Sequence, residues 1–107
     1  MMSMTATQLI KARREAMRWH LLKIADVSRP SGINTAAMLP VIQTVYPDAT
    51  EREVRKELDY LEERELVKIA KDPLDNWYVE LRRYGVDLVE YAVECDPGIS
   101  RPRITQA

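Results

Sequence analysis

The stretch TEREVRKELDYLEERELVKIAKDPLDNWYVELR, residues 50–82, decides the fold of this chain. It opens with Thr50 and Glu53 at the spacing of a capping box, in which the threonine hydroxyl accepts from the glutamate amide and the carboxylate reaches back to the threonine amide. Apolar residues then recur at three-to-four-residue spacing, which predicts a helix that ends near Arg64. The buried stripe of this helix consists of Val54, Leu58 and Leu61.

The period of the pattern changes after this helix. Residues 66–71 are short and strand-like, residues 72–76 are a cluster of turn formers, and residues 77–81 alternate apolar and polar side chains. Two such runs around a turn predict a β-hairpin. The alternation assigns Trp77 to the core face of the second strand and Tyr78 to its outer face.

Two further helices precede this stretch. The apolar spacing predicts an amphipathic helix over about residues 7–27, and residues 28–32, which include proline and glycine, end it. Asn34 can cap a second helix that runs to about residue 46. Pro40 lies inside that helix and has no amide to donate, so either the helix bends there or its regular part begins near Leu39. We favour one bent helix.

The chain after the hairpin predicts one more helix, over about residues 84–94. Residues 95–98 (Cys-Asp-Pro-Gly) then end it. We therefore expect a single domain over residues 7–95, with flexible or partner-bound tails at residues 1–6 and 96–107.

Three helices followed by a two-stranded hairpin is the order of elements in winged-helix proteins. The hairpin is unstable alone, so its apolar face should close over the helices. The second and third helices, joined by a short turn, form a helix-turn-helix, and the third helix is the candidate recognition helix. The expected fold is α+β and mostly helical: a winged helix-turn-helix with a three-helix core, a two-stranded wing and an additional C-terminal helix.

Several segments resemble a known group of proteins. Residues 50–67 resemble the passage from third helix to first wing strand that winged-helix proteins share. Residues 81–87 (LRRYGVD) and 97–102 (PGISRP) resemble the closing segments of small winged-helix proteins of Mu-like phages and prophages. That resemblance implies a DNA-binding or regulatory role. Glu65 stands where those relatives usually have glycine, and Tyr84 stands where they often have arginine.

The third helix carries the candidate DNA-contacting residues. With Val54 at the centre of the buried face, Arg52 and Lys56 lie nearly opposite and Arg55 flanks them. A recognition helix inserts its N-terminal end into the major groove, where such donors meet base edges and phosphates. The other candidates border the wing or follow it: Lys68, Lys71, Arg82 and Arg83.

The same helix also argues against DNA. Residues 51–65 contain seven acids against four bases, and carboxylates near phosphates weaken binding. The exposed charges could therefore be a solvated face with intrahelical pairs. Two functions remain open: a sequence-reading DNA-binding protein of phage or prophage type that regulates transcription, and a winged-helix adaptor that binds protein. A homodimer through the first or last helix, with Trp19 and Tyr91 at its seam, is compatible with either.

Composition limits the remaining functions. The chain has 107 residues, 46% of them hydrophobic and 31% charged, which is typical of one soluble globular domain. Its 16 Lys and Arg against 17 Asp and Glu give a net charge of −1, so no global basic field attracts nucleic acid or membrane. The single cysteine excludes an intrachain disulfide, and the N-terminus lacks a signal-peptide pattern, so we expect a cytoplasmic protein.

Catalysis is not expected. His20 is the only histidine, and no acid stands at a spacing that would orient it. Cys95 follows the predicted last helix, where the helix dipole would raise the pKa of its thiol. The three glycines form no phosphate loop, and one histidine with one cysteine cannot build a zinc site. We therefore expect no enzyme activity, cofactor or metal.

Overall fold

The computed structural model describes residues 5–104 of the chain. This part forms a mostly helical α+β fold in which a short three-stranded antiparallel sheet lies against four helices. The elements in chain order are α1 (Ala6–Val27), β1 (Ile33–Asn34), α2 (Thr35–Gln43), α3 (Glu51–Glu63), β2 (Val67–Lys71), β3 (Trp77–Leu81) and α4 (Arg83–Val89). The predicted winged helix-turn-helix is confirmed: α2 and α3 are the helix-turn-helix, and β2, β3 and the turn 72–76 are the wing.

Helix α1 begins at a cap that the sequence analysis missed. The Thr5 hydroxyl accepts from the amide of Gln8 at 3.2 Å, and the Gln8 side-chain oxygen accepts from the amide of Thr5 at 2.8 Å. This capping box starts the helix one residue before the predicted Thr7. Residues 1–4 of the predicted N-terminal tail lie outside the described residues.

Helix α2 begins where the sequence predicts and ends earlier. The Asn34 side chain accepts from the amide of Ala37 at 2.8 Å, which confirms the cap. The helix ends at Gln43, not near residue 46. Pro40 lies within the helix on its exposed side, and Ala36, whose carbonyl would be the acceptor of the missing amide, is exposed as well. Water can reach that carbonyl, so the proline costs less there than in a buried turn.

Strand β1 is an addition that the sequence analysis did not predict. Ile33 pairs with Val79, and Asn34 pairs with Tyr78, so β3 becomes the central strand in the order β1-β3-β2. A strand of two residues is too short to show alternation, which is why no sequence signal revealed it.

The wing has the predicted register. Ile69 pairs with Val79 and Lys71 with Trp77, both antiparallel. The Asp72 carboxylate accepts from the amide of Asn76 at 2.9 Å and holds the turn closed. Trp77 is buried, at 8% exposure, and Tyr78 is exposed, as the alternation predicts.

The core lies between α1, α2, α3 and the inner face of the sheet. Its fully buried side chains come from every one of these elements, so the wing is part of the domain and not an appended arm. The largest are Met17, Leu21, Leu22, Met38, Ile42, Leu58, Leu61, Leu66, Val54, Val67 and Val79.

The last helix is shorter than predicted. Helix α4 ends at Val89, and Tyr91 has a φ of 62°. The amide of Ala92 donates to the carbonyl of Asp87 at 2.8 Å, which is the closing bond of a Schellman motif. The apolar residues at 92–93 made the helical pattern look longer, but the left-handed residue ends it.

Trp19 and Tyr91 do not form an exposed seam. Their rings meet edge to face with centroids 6.1 Å apart, and Trp19 is only 8% exposed. The two aromatic residues join α1 to the chain after α4 within one molecule. The expectation that this pair forms a dimer seam is therefore wrong.

Residues 96–104, part of the tail predicted to be flexible or partner-bound, lie against α1 and α4. Arg18 Nη1 donates to the carbonyl of Gly98 at 2.8 Å, and the amide of Ser100 donates to the carbonyl of Glu15 at 3.1 Å. Arg101 Nη1 donates to the carbonyls of Leu88 and Val93 at 3.0 and 2.9 Å. The segment 96–104 is thus tied to both α1 and α4, and residues 105–107 of the predicted C-terminal tail lie outside the described residues.

No helix within residues 5–104 combines the length and the hydropathy that crossing a bilayer requires.

Candidate nucleic-acid interface

The N-terminal half of α3 presents two free cationic side chains. Thr50 caps this end of the helix, accepting from the amide of Glu53 at 3.2 Å. Arg52 and Lys56 are exposed one turn apart. Within residues 5–104 neither side chain takes part in an ion pair. They line a shallow, open depression together with Glu51, Arg55 and Asp59. Free donors on the first turns of a recognition helix are what base edges and phosphates require.

Arg55 is not free in the same way. Its Nη1 donates to Asp75 Oδ2 at 2.6 Å, and its Nη2 donates to the Asp75 carbonyl at 2.6 Å. Glu51 Oε1 lies 2.8 Å from Nη2, and the side chain is only 21% exposed. Two carboxylates hold the Arg55 guanidinium, one of them the intrahelical partner Glu51, and contact of Arg55 with DNA stays a prediction.

Trp77 connects Arg55 to the wing. The Arg55 Cζ lies 4.6 Å from the centroid of the indole, and the Lys71 Nζ lies 4.2 Å from it. The indole Nε1 donates to Asp75 Oδ1 at 3.1 Å. The hydrogen bonds from Arg55 and then Trp77 hold the pKa of the Asp75 carboxyl below its usual range. Lys71 remains exposed at this end of the wing, so it can reach a partner bound to α3.

The other predicted site residues lie elsewhere. Lys68 is on the outer face of the sheet, opposite Glu80 in the register, because it is an odd number of residues from Lys71. Arg82 and Arg83 are exposed at the start of α4, beyond the C-terminal end of α3. Arg52 and Lys56 thus lie beside Arg55 on α3, and Lys71 lies against the same Trp77 indole as Arg55. Lys68, Arg82 and Arg83 lie on other surfaces.

The second arm of the predicted capping box is absent at Thr50. The Glu53 carboxylate accepts instead from Nε and Nη2 of Arg13 at 2.9 and 3.0 Å. Arg13 also donates to Asp48 at 3.0 Å, which holds the pKa of the Asp48 carboxyl below its usual range. The arginine joins α1 to the turn before α3 and to the first turn of α3, and a long-range ion pair has replaced a local hydrogen bond.

Glu57 is the residue that the sequence analysis most clearly missed. It is 2% exposed and accepts from Arg18 Nε at 2.8 Å, while the Arg18 Cζ lies 3.5 Å from the Tyr60 ring centroid. Its position was readable, since residue 57 falls between Val54 and Leu61 on the buried stripe. A carboxylate on such a stripe needs a partner, and Arg18 supplies it.

His20 and Cys95 contact backbone carbonyls, and His20 also contacts an aromatic ring. His20 Nδ1 lies 2.8 Å from the carbonyl of Ala16, one helical turn earlier, and its ring meets Tyr46 edge to face. Cys95 is half-buried, six residues past the end of α4, and burial raises the pKa of its thiol. The expected cause, a helix C-terminus, was wrong because α4 ends earlier. Among residues 5–104 no group of three His, Cys, Asp or Glu side chains is placed to hold a metal ion.

The fold is similar to that of solved transcription regulators. The crystal structure of MepR, a transcription regulator of the Staphylococcus aureus multidrug efflux pump MepA, aligns with 82% of this chain and 73% of its own length, with a TM-score of 0.60 and 18% identity. A MepR mutant bound to an oligodeoxyribonucleotide aligns with the same shares of the two chains, at a TM-score of 0.56 and 19% identity. A second MepR mutant gives a TM-score of 0.53 and 18% identity over 83% of this chain and 74% of its own.

At these identities the likeness establishes the winged-helix fold. No protein-family model matches the sequence, and no curated protein matches it significantly.

Proposed function

We propose that this protein is a DNA-binding regulator of transcription that reads duplex DNA with α3 and its wing. The observation that carries the proposal is the pair of free cations, Arg52 and Lys56, on the exposed N-terminal half of α3, with Lys71 of the wing at the same end. A recognition helix needs base-contacting donors in its first turns and phosphate-contacting donors beside it.

The two groups of cations have different roles in this proposal. Arg52 and Lys56 enter the major groove, where on DNA of mixed sequence each also neutralises a phosphate at its edge, and Lys71 contacts a backbone phosphate or the minor groove. Lys68, Arg82 and Arg83 lie away from this face and contribute at most to distant phosphates. Because seven acids lie among residues 51–65, the electrostatic contribution to DNA affinity should be small, and binding should depend on a few well-placed contacts.

Three finer assignments belong to this proposal. The MepR mutant that shares the fold is bound to an oligodeoxyribonucleotide, which supports DNA as the partner. The resemblance of residues 81–87 and 97–102 to Mu-like phage proteins supports a phage or prophage regulator. Leu9 and Ile10 near the start of α1 are 56% and 52% exposed, which supports a homodimer through the first helix.

The test is a titration with a short duplex of mixed sequence at about 50–200 mM NaCl. The protein should bind at the low-salt end. The double variant Arg52→Ala with Lys56→Ala should weaken binding and lower the slope of log K against log salt by about 1.8, since each lost phosphate neutralisation removes about 0.9. Arg103→Ala, which removes an exposed charge after α4, is the matched control and should change neither quantity. No binding at low salt would reject the proposal.

A second function, a protein-binding adaptor, is favoured by a different surface. An apolar groove of about 330 Å³ lies between α1 and α2, away from the depression on α3. Val27, Val41 and Val45 on its walls are 82%, 47% and 50% exposed. Light scattering and a pull-down from host lysate test this function. A monodisperse monomer that retains no protein and retards DNA would favour the first proposal.

A further inference from the structure

The turn of the wing is held to α3 by Arg55, while Glu62 of the same helix accepts from the amide of Ile69 in β2 at 2.9 Å. We define the Arg55 cluster as Glu51, Arg55, Asp75 and Trp77. Arg55 donates hydrogen bonds to both the carboxylate and the backbone carbonyl of Asp75, each at 2.6 Å, across 20 residues of sequence. Because two different atoms of one residue are held, the position and the orientation of the wing turn are both fixed relative to the helix.

Every other bond in the cluster supports the same arrangement. The indole of Trp77 lies against the Arg55 guanidinium and donates to the second oxygen of Asp75. Glu51 takes Arg55 Nη2 from the helix side. The Nε of Arg55 is buried with no hydrogen-bond partner among the described residues, so the guanidinium is enclosed between helix and wing.

The wing turn that Arg55 contacts, residues 72–76, is closed by its own backbone hydrogen bonds. The amide of Asp75 donates to the carbonyl of Asp72, and the amide of Asp72 donates to the carbonyl of Asn76, both at 3.0 Å. Asp75 has a φ of 61°, a left-handed conformation that aspartate adopts more readily than most residues. A preformed turn transmits the restraint from Asp75 to the rest of the wing.

We infer that Arg55 is a positioning residue, which locks the wing against the recognition helix and does not itself contact DNA. This inference rests on the proposed function and separates the residues that contact DNA from the residue that positions the wing. A cation held by Glu51 and Asp75 gives a local net charge of −1, so it attracts phosphate less than its neighbours Arg52 and Lys56 do. Its contribution to binding is the ordering of the wing before the DNA arrives, which lowers the entropic cost of association.

The first arm of the test needs no DNA. Amide hydrogen exchange across residues 72–78 and exchange of the Trp77 indole proton are compared in the wild type, Arg55→Gln, Asp75→Ala and Lys56→Ala. The two cluster variants should exchange several-fold faster in the wing, while Lys56→Ala should match the wild type. Unchanged exchange in both cluster variants would overturn the inference, whether or not the protein binds DNA.

The second arm measures salt dependence with the mixed-sequence duplex. Lys56→Ala should lower the slope of log K against log salt by about 0.9. Arg55→Gln should weaken binding about two- to tenfold with the slope unchanged, because only the ordering of the wing is lost. Asp75→Ala should also weaken binding, although it removes a negative charge. A slope reduced by Arg55→Gln, or tighter binding by Asp75→Ala, would show that Arg55 contacts phosphate directly. If the wild type does not bind, the proposed function fails and the first arm alone decides the role of Arg55.

Discussion

Arg18 Nε lies 2.8 Å from Glu57 Oε1 in a place where the Glu57 side chain is 3% exposed and the Arg18 side chain 13% exposed. This pair joins the middle of α1 to the middle of α3. Arg18 Nη1 also donates to the carbonyl of Gly98, and the flat face of the guanidinium lies over the Tyr60 ring. A buried pair with these partners fixes how α3 is oriented against α1, because neither charge can be left alone in the interior.

Removing one member of this pair should destabilise the fold strongly. Glu57→Ala leaves the Arg18 guanidinium buried without its counter-charge, and we expect a loss of about 3–5 kcal/mol in the free energy of unfolding. Urea denaturation followed by circular dichroism measures it. Glu63→Ala on the exposed side of α3 is the control, with an expected change within about 0.5 kcal/mol. A loss for Glu57→Ala as small as that of the control would contradict the proposed role of the pair.

Glu65, in the turn between α3 and β2, has a strained backbone conformation that a single substitution can relieve. Glu65 has a φ of 63°, and the amide of Leu66 donates to the carbonyl of Leu61 at 3.0 Å in a second Schellman motif. Glycine adopts this conformation without the side-chain clash, at the cost of a more flexible unfolded chain. Glu65→Gly should therefore raise the stability by about 0.5–1 kcal/mol, measured by thermal and urea unfolding. Glu65→Ala keeps the strain and should give no such gain.

At Gly85 a side chain is excluded by lack of space and not by the backbone conformation, because the residue is buried. A Cβ at this position would collide with the carbonyl oxygen of Leu66 and approach the Leu81 side chain to 2.9 Å. Gly85→Ala should thus push α4 away from the end of β3 and destabilise the protein by about 2 kcal/mol or more. Val86→Ala, one residue on, serves as a comparison for a change that only removes atoms. Equal stability of Gly85→Ala and the wild type would mean that α4 moves freely.

The Arg55 cluster makes a prediction about pH. Hydrogen bonds from Arg55 and Trp77 lower the folded-state pKa of Asp75, so its contribution to stability is present above the unfolded value of about 3.9 and is lost as the pH falls through the folded value. NMR titration of the Asp75 carboxyl measures this pKa directly. In Arg55→Gln the pKa should move back up toward about 3.9. A titration identical in the two proteins would mean that the ion pair is not populated in solution.

The sequence by itself determined the elements that depend on neighbours close along the chain. The apolar spacing of α1 and α3, the cap at Asn34, the cap by the Thr50 hydroxyl and the alternation across the wing each act within a few residues and appear as predicted. The Glu53 half of the predicted capping box does not form, because Arg13 takes that carboxylate. The fold class followed from their order. The exposed positions of Arg52 and Lys56 also followed, because helical periodicity alone sets which residues lie opposite Val54.

Only the tertiary structure decided which residues far apart in the sequence contact each other. The Arg55–Asp75 contact spans 20 residues and the Arg18–Glu57 contact spans 39, so neither has a local pattern. Strand β1 pairs with an edge of β3, and Tyr91, which follows the end of α4 in a left-handed conformation, packs its ring against Trp19. The physical reason is the same in each case: a charge, an edge or a ring is satisfied by whichever group the packed core brings within reach, and that choice is made in space and not along the chain.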